Sequence, residues 1–280
     1  MRSMPSSGNN FSGWGTRLGK LRWPDMSHEA PTLPARLAAR LPAPVGPWLG
    51  RHLDRIEIGV LLSLILIGGG IWAFGAIAAE MTEGDTTAFD RAILLWFRNG
   101  DDLAVLNGPA WMETVVRDIT ALGGVTVLGA LTVFTAGYLL MEGYRRQVWV
   151  LLAAVIGGQV VSNITKMLFD RTRPDLVPHG TDVTSASFPS GHSMMATITW
   201  LTLAVMLARL QARRRTRAYL ISVAVLIAVS VGISRVALGV HWPTDVLAGW
   251  SIGAAWAVAC MLIADWLFPT RPKPDIPPQD

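Results

Sequence analysis

Long apolar runs alternate with shorter polar segments along this 280-residue chain. The first run, Ile58–Ala79, holds 22 residues without a charge. At about 1.5 Å of rise per residue, that length crosses a hydrocarbon core of about 30 Å. Further runs follow at 119–141, 147–169, 193–211, 218–240 and 244–268. No strand-like alternation suits a barrel. Backbone polar groups in lipid must be satisfied within the segment, so each run reads as a helix. The pattern predicts an all-α, polytopic membrane protein with six transmembrane helices in a bundle. Residues 58–268 form its membrane domain, residues 1–57 a basic arm and residues 269–280 a short tail. The polar connection at 80–118 carries an amphipathic patch, Phe89–Phe97. That patch reads as an interfacial helix above the bundle, as packing rather than as a gate.

Composition agrees with this division. Hydrophobic residues make up 51% of the chain and charged residues 16%, against about 25% charged in soluble domains. The mean hydropathy is +0.39. These values exclude a disordered chain and argue against an ordinary soluble domain. The single Cys260 excludes an intrachain disulfide framework and cysteine-based zinc sites. The abundant tryptophans, 12 in all, suit interface anchoring.

The basic pI of about 9.7 would suit a nucleic-acid partner, but the positions of the charges do not. They fall in the arm, at Arg145 and Arg146, at Arg209 to Arg217, and at Arg271 and Lys273. With six crossings all of these lie on one side, as the positive-inside rule expects of a cytoplasmic face. Residues 80–118, with eight acids against three arginines, fall on the other side together with 170–192 and 241–243. Both termini are therefore expected in the cytoplasm. The arm has no short apolar stretch at its start, so no signal peptide is expected.

Two cations break the pattern, because Lys166 and Arg235 lie inside apolar runs. Ionisable residues at membrane depth mark functional sites unless they snorkel to the interface. The topology brings three segments to the same end of the bundle. They are Lys166 to Pro174, Phe188 to Ser193 and Ser234 to Asp245. Together they pool cations, two histidines and the start of a helix, a set suited to an anion with several oxygens. Arg173 and Arg235 can each fork two phosphate oxygens, and Lys166 adds a point charge. Ser190 and Gly191 begin a helix whose free N–H groups favour an anion, and Gly191 permits close approach. Pro243 suits the first position of a new helix, which puts His241 just before the turn and Asp245 within it. Asp245 can hold one imidazole nitrogen and leave the other as a nucleophile. His192 is free to give a proton to a leaving oxygen.

Lys-x6-Arg-Pro (Lys166, Arg173, Pro174), Pro-Ser-Gly-His (Pro189 to His192) and Ser-Arg-x5-His-x3-Asp (Ser234, Arg235, His241, Asp245) resemble the three-part signature of the type 2 phosphatidic acid phosphatase superfamily. All three parts are complete and in the family's order. The resemblance implies a membrane lipid phosphatase. His241 would form a phosphohistidine, Asp245 would orient it, and His192 would serve as acid and then base. Lys166, Arg173, Ser190, Gly191 and Arg235 would cradle the phosphoryl oxygens. It also implies no metal and no other cofactor, in keeping with a pocket that lacks a carboxylate cluster for Mg²⁺.

His179 and Asp182 are not signature positions and receive no role. The implied partners are a lipid phosphate and the bilayer. Candidate substrates are phosphatidic acid, phosphatidylglycerol phosphate, a polyprenyl pyrophosphate and lipid A phosphates. The expected location is the inner (plasma) membrane, with the site on the periplasmic or extracellular side. A phosphotransferase using the same phosphohistidine, and a binding protein without turnover, are the competing readings. The hydrophobic spans argue against the soluble haloperoxidases that share a similar anion-binding signature.

Overall fold

A computed structural model describes residues 58–181 and 185–267. The arm before residue 58, Asp182, and the tail with Arg271 and Lys273 lie outside the described residues. Eight helices and no strand occur among the described residues. They are α1 (Ile58–Glu83), α2 (Thr87–Trp96), α3 (Trp111–Ala121), α4 (Val125–Met141), α5 (Arg145–Phe169), α6 (Gly191–Arg209), α7 (Arg214–Ala237) and α8 (Pro243–Leu267). Five of them are long and apolar enough to cross a membrane, and the bent pair α3–α4 brings the number to six.

The spans match the apolar runs, with one difference. The run at 119–141 is expected to be one helix, but it breaks at residues 122–124 with a bend of 42°. Gly124 is extended (φ −75°, ψ 150°), and a Cβ on Gly123 would sit 2.5 Å from Val231 Cγ1 and 3.1 Å from the His192 carbonyl oxygen. The glycine pair thus turns the chain where it must pass close against α7 and the start of α6. The patch at Phe89–Phe97 forms α2. It buries Leu94 and Asp90 while leaving Trp96 and Phe89 exposed, so it packs on the bundle. Leu94 joins Val177, Val236 and Val246 in a small core beneath it.

α6 is the central helix, packed against α4, α5, α7 and α8. Its crossing with α8 is set by small residues, as membrane helices without a hydrophobic drive between them require. A Cβ on Gly249 would lie 2.8 Å from the Ser190 carbonyl oxygen, and one on Gly253 would lie 2.9 Å from that of Met194. The backbones therefore touch one turn after Asp245. At the opposite end of the bundle, Arg209 grips Asp265 with both guanidinium nitrogens, at 2.6 and 2.7 Å. Arg146 donates there to the Ala264 carbonyl at 2.7 Å.

Candidate active site

Three chain reversals at one end of the bundle build the site. In the first, α5 closes on Asp170. This residue takes the left-handed conformation (φ 39°), which aspartate tolerates better than most side chains, and its N–H still reaches the Lys166 carbonyl. The chain then leaves the helix axis and carries Arg171 and Arg173 across the bundle.

The second reversal runs from Ser185 into α6. Phe188 is buried against Phe74 of α1 and Phe169 of α5, with ring centroids 5.6 and 5.0 Å away. This contact holds the loop that delivers Ser190, the N-cap of α6.

In the third, α7 ends on Gly239 (φ 72°), with the Val240 N–H returning to the Arg235 carbonyl at 3.2 Å. This is the glycine-terminated helix end that satisfies late carbonyls. A side chain at Gly239 would also collide with Val177 and Arg98. His241 follows in the turn, and Pro243 opens α8 with Asp245 in its first turn.

The site centres on His241, which is 2% exposed, and Asp245, which is 0% exposed. His241 Nδ1 faces Asp245 Oδ2 at 3.5 Å and the Ser187 hydroxyl at 3.4 Å. Nε2 lies on the other edge, 3.3 Å from Arg173 Nη1. The carboxylate beside Nδ1 assigns the proton to that nitrogen and leaves the Nε2 lone pair facing outward. Burial of the imidazole outweighs the pull of Asp245 and brings the His241 pKa from 6.5 down to about 4. The side chain therefore stays neutral at physiological pH.

Asp245 is held by more than His241. It accepts from Arg171 Nη1 at 2.6 Å, from the Trp242 N–H at 2.8 Å and from the Ser187 hydroxyl. The bond to Trp242 is the returning half of a capping box, made by the third residue of the helix to the residue before it. Arg171 also donates to Thr244 Oγ1 at 2.8 Å and to Asp90 Oδ2 at 2.7 Å. Asp90, brought in by α2 and 1% exposed, accepts the Thr244 N–H at 2.9 Å and its hydroxyl at 2.7 Å.

This inner layer of Asp90, Arg171, Ser187 and Thr244 is absent from the sequence reading. Asp90 carried one signal: it lies four residues before Leu94, on the face of the patch that turns inward. Arg171 carried none, because it looks like one more loop charge.

The three cations are held differently from one another. Arg173 donates through Nε to the Ser185 carbonyl (2.8 Å) and through Nη1 to the Val240 carbonyl (2.6 Å), which fixes the guanidinium in place. Burial lowers its pKa against the opposing charge of Asp245. Lys166 Nζ donates to the Ala186 carbonyl at 2.6 Å. Arg235 donates from Nη1 to Thr120 Oγ1 at 3.1 Å, and its Nε has no partner among the described residues.

Lys166, Arg173, Arg235, His192 and His241 all line one cavity of about 680 Å³, and Gly191 borders it. Ser190 does not line it. The Ser190 hydroxyl accepts from the Ser193 N–H (3.4 Å) and hydroxyl (2.9 Å), and its own N–H goes to the Asp245 carbonyl at 2.9 Å. Its side chain therefore caps α6, and its backbone ties α6 to α8. Among the described residues, no group of three or more His, Cys, Asp or Glu is arranged to hold a metal ion. A cavity walled by cations can stabilise anionic oxygens without one.

Comparison with known proteins shows what the chain resembles. The model of the PAP2 superfamily matches residues 147–269. A phosphatidylglycerophosphatase B of Bacillus subtilis is 37% identical over 186 residues, which is 64% of this chain and 85% of the relative. An undecaprenyl-diphosphatase of Sulfolobus acidocaldarius is 29% identical, over 43% of this chain and 56% of the relative. The crystal structure of a transmembrane PAP2-type phosphatidylglycerolphosphate phosphatase from Bacillus subtilis is similar with a TM-score of 0.66 at 29% identity. It covers 74% of this chain and 100% of that one.

Proposed function

The chain belongs to the PAP2 superfamily, and from that premise we propose that it is an integral-membrane lipid phosphatase that works through a phosphohistidine on His241. The observation that carries this reading is the direction of one nitrogen. His241 Nε2 borders a cavity shared with three cations, while Nδ1 is backed by a buried carboxylate. The proposed substrates are phosphomonoesters or pyrophosphates of membrane lipids. Phosphatidic acid, phosphatidylglycerol phosphate, polyprenyl pyrophosphate and lipid A phosphates are all members of that class.

In the first step Nε2 attacks phosphorus. A P–N bond forms, the P–O bond to the lipid breaks, and His192 gives its proton to the departing oxygen. In the second step His192 takes a proton from water, the water oxygen attacks phosphorus, and the P–N bond breaks to release phosphate. The same residue thus serves as acid and then base. Asp245 keeps the Nδ1 proton in place and balances the positive charge on the imidazole. Lys166, Arg173, Arg235 and the N–H groups at the start of α6 neutralise charge on the three equatorial oxygens. No step calls for a divalent metal.

The basic turns at the far end of the bundle support a cytoplasmic assignment for that end. The site then opens on the periplasmic or extracellular side of the plasma membrane, with both termini in the cytoplasm.

The test is phosphate release in detergent with excess EDTA, for wild type and His241→Ala, on each candidate lipid. Release by the wild type alone is expected. A folded wild type that releases nothing from any of them, or a His241→Ala variant that retains wild-type rates, overturns the proposal.

A further inference from the structure

The wall that α5 gives to the cavity changes chemistry in order along the helix. Lys166 stands at the phosphate end, Asn163 and Ser162 lie one turn further in, and Gln159 lies two turns in. Val160 lies among the polar residues, and Val155 and Ile156 follow. At about 1.5 Å per residue, Asn163 and Ser162 are about 5–6 Å from Lys166 along the axis, and Gln159 is about 10 Å away. From α4 the same cavity is lined by Val125, Leu128 and Gly129.

Two observations mark the polar stretch as a place for a ligand. The Ser162 side chain is 1% exposed, and its hydroxyl has no hydrogen-bond partner among the described residues. It borders the space beside Gly191, where a Cβ would come within 3.6 Å of the oxygen. Gln159 and Asn163 form a bond of their own, Nε2 to Oδ1 at 2.9 Å. Each amide has two N–H donors, so that bond leaves both on Asn163 and one on Gln159. Amides at membrane depth are retained where they meet a partner.

The polar groups therefore begin where the phosphate ends and stop where hydrocarbon begins. A prenyl monophosphate offers nothing at that depth but hydrocarbon, so binding it strips these groups of water and returns no hydrogen bond. A glycerolipid offers oxygens there, the acyl esters of phosphatidic acid or the hydroxyl and phosphodiester of phosphatidylglycerol phosphate.

We propose that Ser162, Asn163 and Gln159 form a subsite for the oxygen-bearing glycerol linker, so that this site selects phosphorylated glycerolipids over prenyl monophosphates. The inference rests on the lipid-phosphatase reading above and narrows its substrate class. The discrimination follows the general rule that a site built to hydrogen-bond a group rejects analogues that lack it.

The experiment compares kcat/KM for phosphatidic acid, phosphatidylglycerol phosphate and a long-chain prenyl monophosphate in mixed micelles. It uses wild type and the double variant Asn163→Leu, Gln159→Leu. Gln159 is partly buried and Asn163 is exposed on a lipid-facing helix, where leucine is well accommodated. The wild type is expected to prefer both glycerolipids at least tenfold, and the double variant to lose about tenfold of that ratio. An equal loss on all three lipids, or no change in the ratio, overturns the subsite. A wild type with no preference for glycerolipids overturns it without any variant. Phosphate release with an unchanged ratio leaves the phosphatase reading intact, whereas no release from any lipid removes that reading itself.

Discussion

Asp90 and Asp245 share one guanidinium: Arg171 reaches the first at 2.7 Å and the second at 2.6 Å. Asp90 also accepts the Thr244 N–H and hydroxyl, so a residue of α2 caps the first turn of α8 from outside. Free N–H groups at a helix start favour a carboxylate there. The carboxylate behind the proposed nucleophile is thus held by its own helix cap, by Arg171, and through Arg171 by α2.

Asp90→Asn keeps an acceptor for Thr244 but removes the charge that Arg171 answers. We expect kcat to fall about tenfold with KM within about twofold, because the effect reaches His241 through Asp245 and does not touch the lipid. Asp90→Ala leaves buried donors unpaired and is expected to cost about 3–5 kcal/mol of stability. Steady-state kinetics and thermal melts in detergent check both. A matching rise in KM for Asp90→Asn would assign Asp90 to substrate binding instead.

The pKa of His241 sets two pH dependences. Its neutral form is the proposed nucleophile, and burial holds its pKa near 4 rather than 6.5. The acid limb of kcat/KM due to the enzyme is therefore expected near pH 4. The second ionisation of the substrate phosphate, near 6, is measured separately by ³¹P NMR and subtracted. Stability follows the same group. Below about 6.5 the unfolded chain takes up a proton that the folded one refuses. The contribution is present above that pH and is lost as pH falls toward 4. Melting midpoints at pH 7, 5.5 and 4.5 should fall more steeply for wild type than for His241→Asn.

Much of this was legible in the sequence, for physical reasons that also mark its limit. Hydropathy reports burial in lipid directly, so the spans are visible. Lys166 and Arg235 stand out because charge within an apolar run is costly. With Arg173, His192 and His241 they reach one cavity, as the topology implied. Ser190 faces its own helix instead, because a serine before a helix is as useful for capping as for holding an anion. The pairing of Asp90 with Arg171 spans two distant segments, and a helical period reveals which face is buried but not what it meets. The break at 122–124 is likewise set by a neighbour, since the Gly123-Gly124 pair could sit in a continuous helix if α7 were not so close.

The contact at Gly249 predicts a graded loss. A Cβ there would meet the Ser190 carbonyl at 2.8 Å and the Met194 N–H nitrogen at 3.2 Å, and both are backbone atoms that cannot rotate away. Gly249→Val must push α8 from α6 and loosen the bond between the Ser190 N–H and the Asp245 carbonyl. Overpacking of this kind costs about 1–3 kcal/mol, and activity is expected to fall more than tenfold. Gly75→Ala is the control, since its Cβ meets nothing within 4 Å. It should leave activity unchanged and match or slightly raise stability. Equal effects of the two substitutions would mean that the helix crossing does not position the site.

Arg173→Lys separates charge from shape. The guanidinium of Arg173 bonds two carbonyls, on Ser185 and Val240, while its Nη1 stays 3.3 Å from His241 Nε2. An ammonium keeps the positive charge but has no planar fork, so it cannot hold both carbonyls and still present donors to a phosphoryl group. If the cradle worked by charge alone, the substitution would cost little. The bonding seen here calls for shape as well, and we expect kcat/KM to fall about a hundredfold, mostly in kcat. A hundredfold is about 2.7 kcal/mol, the scale of one or two hydrogen bonds to charged groups in the transition state. Near-normal kinetics for the lysine variant would assign Arg173 to the loop and leave Lys166 and Arg235 to carry the phosphate.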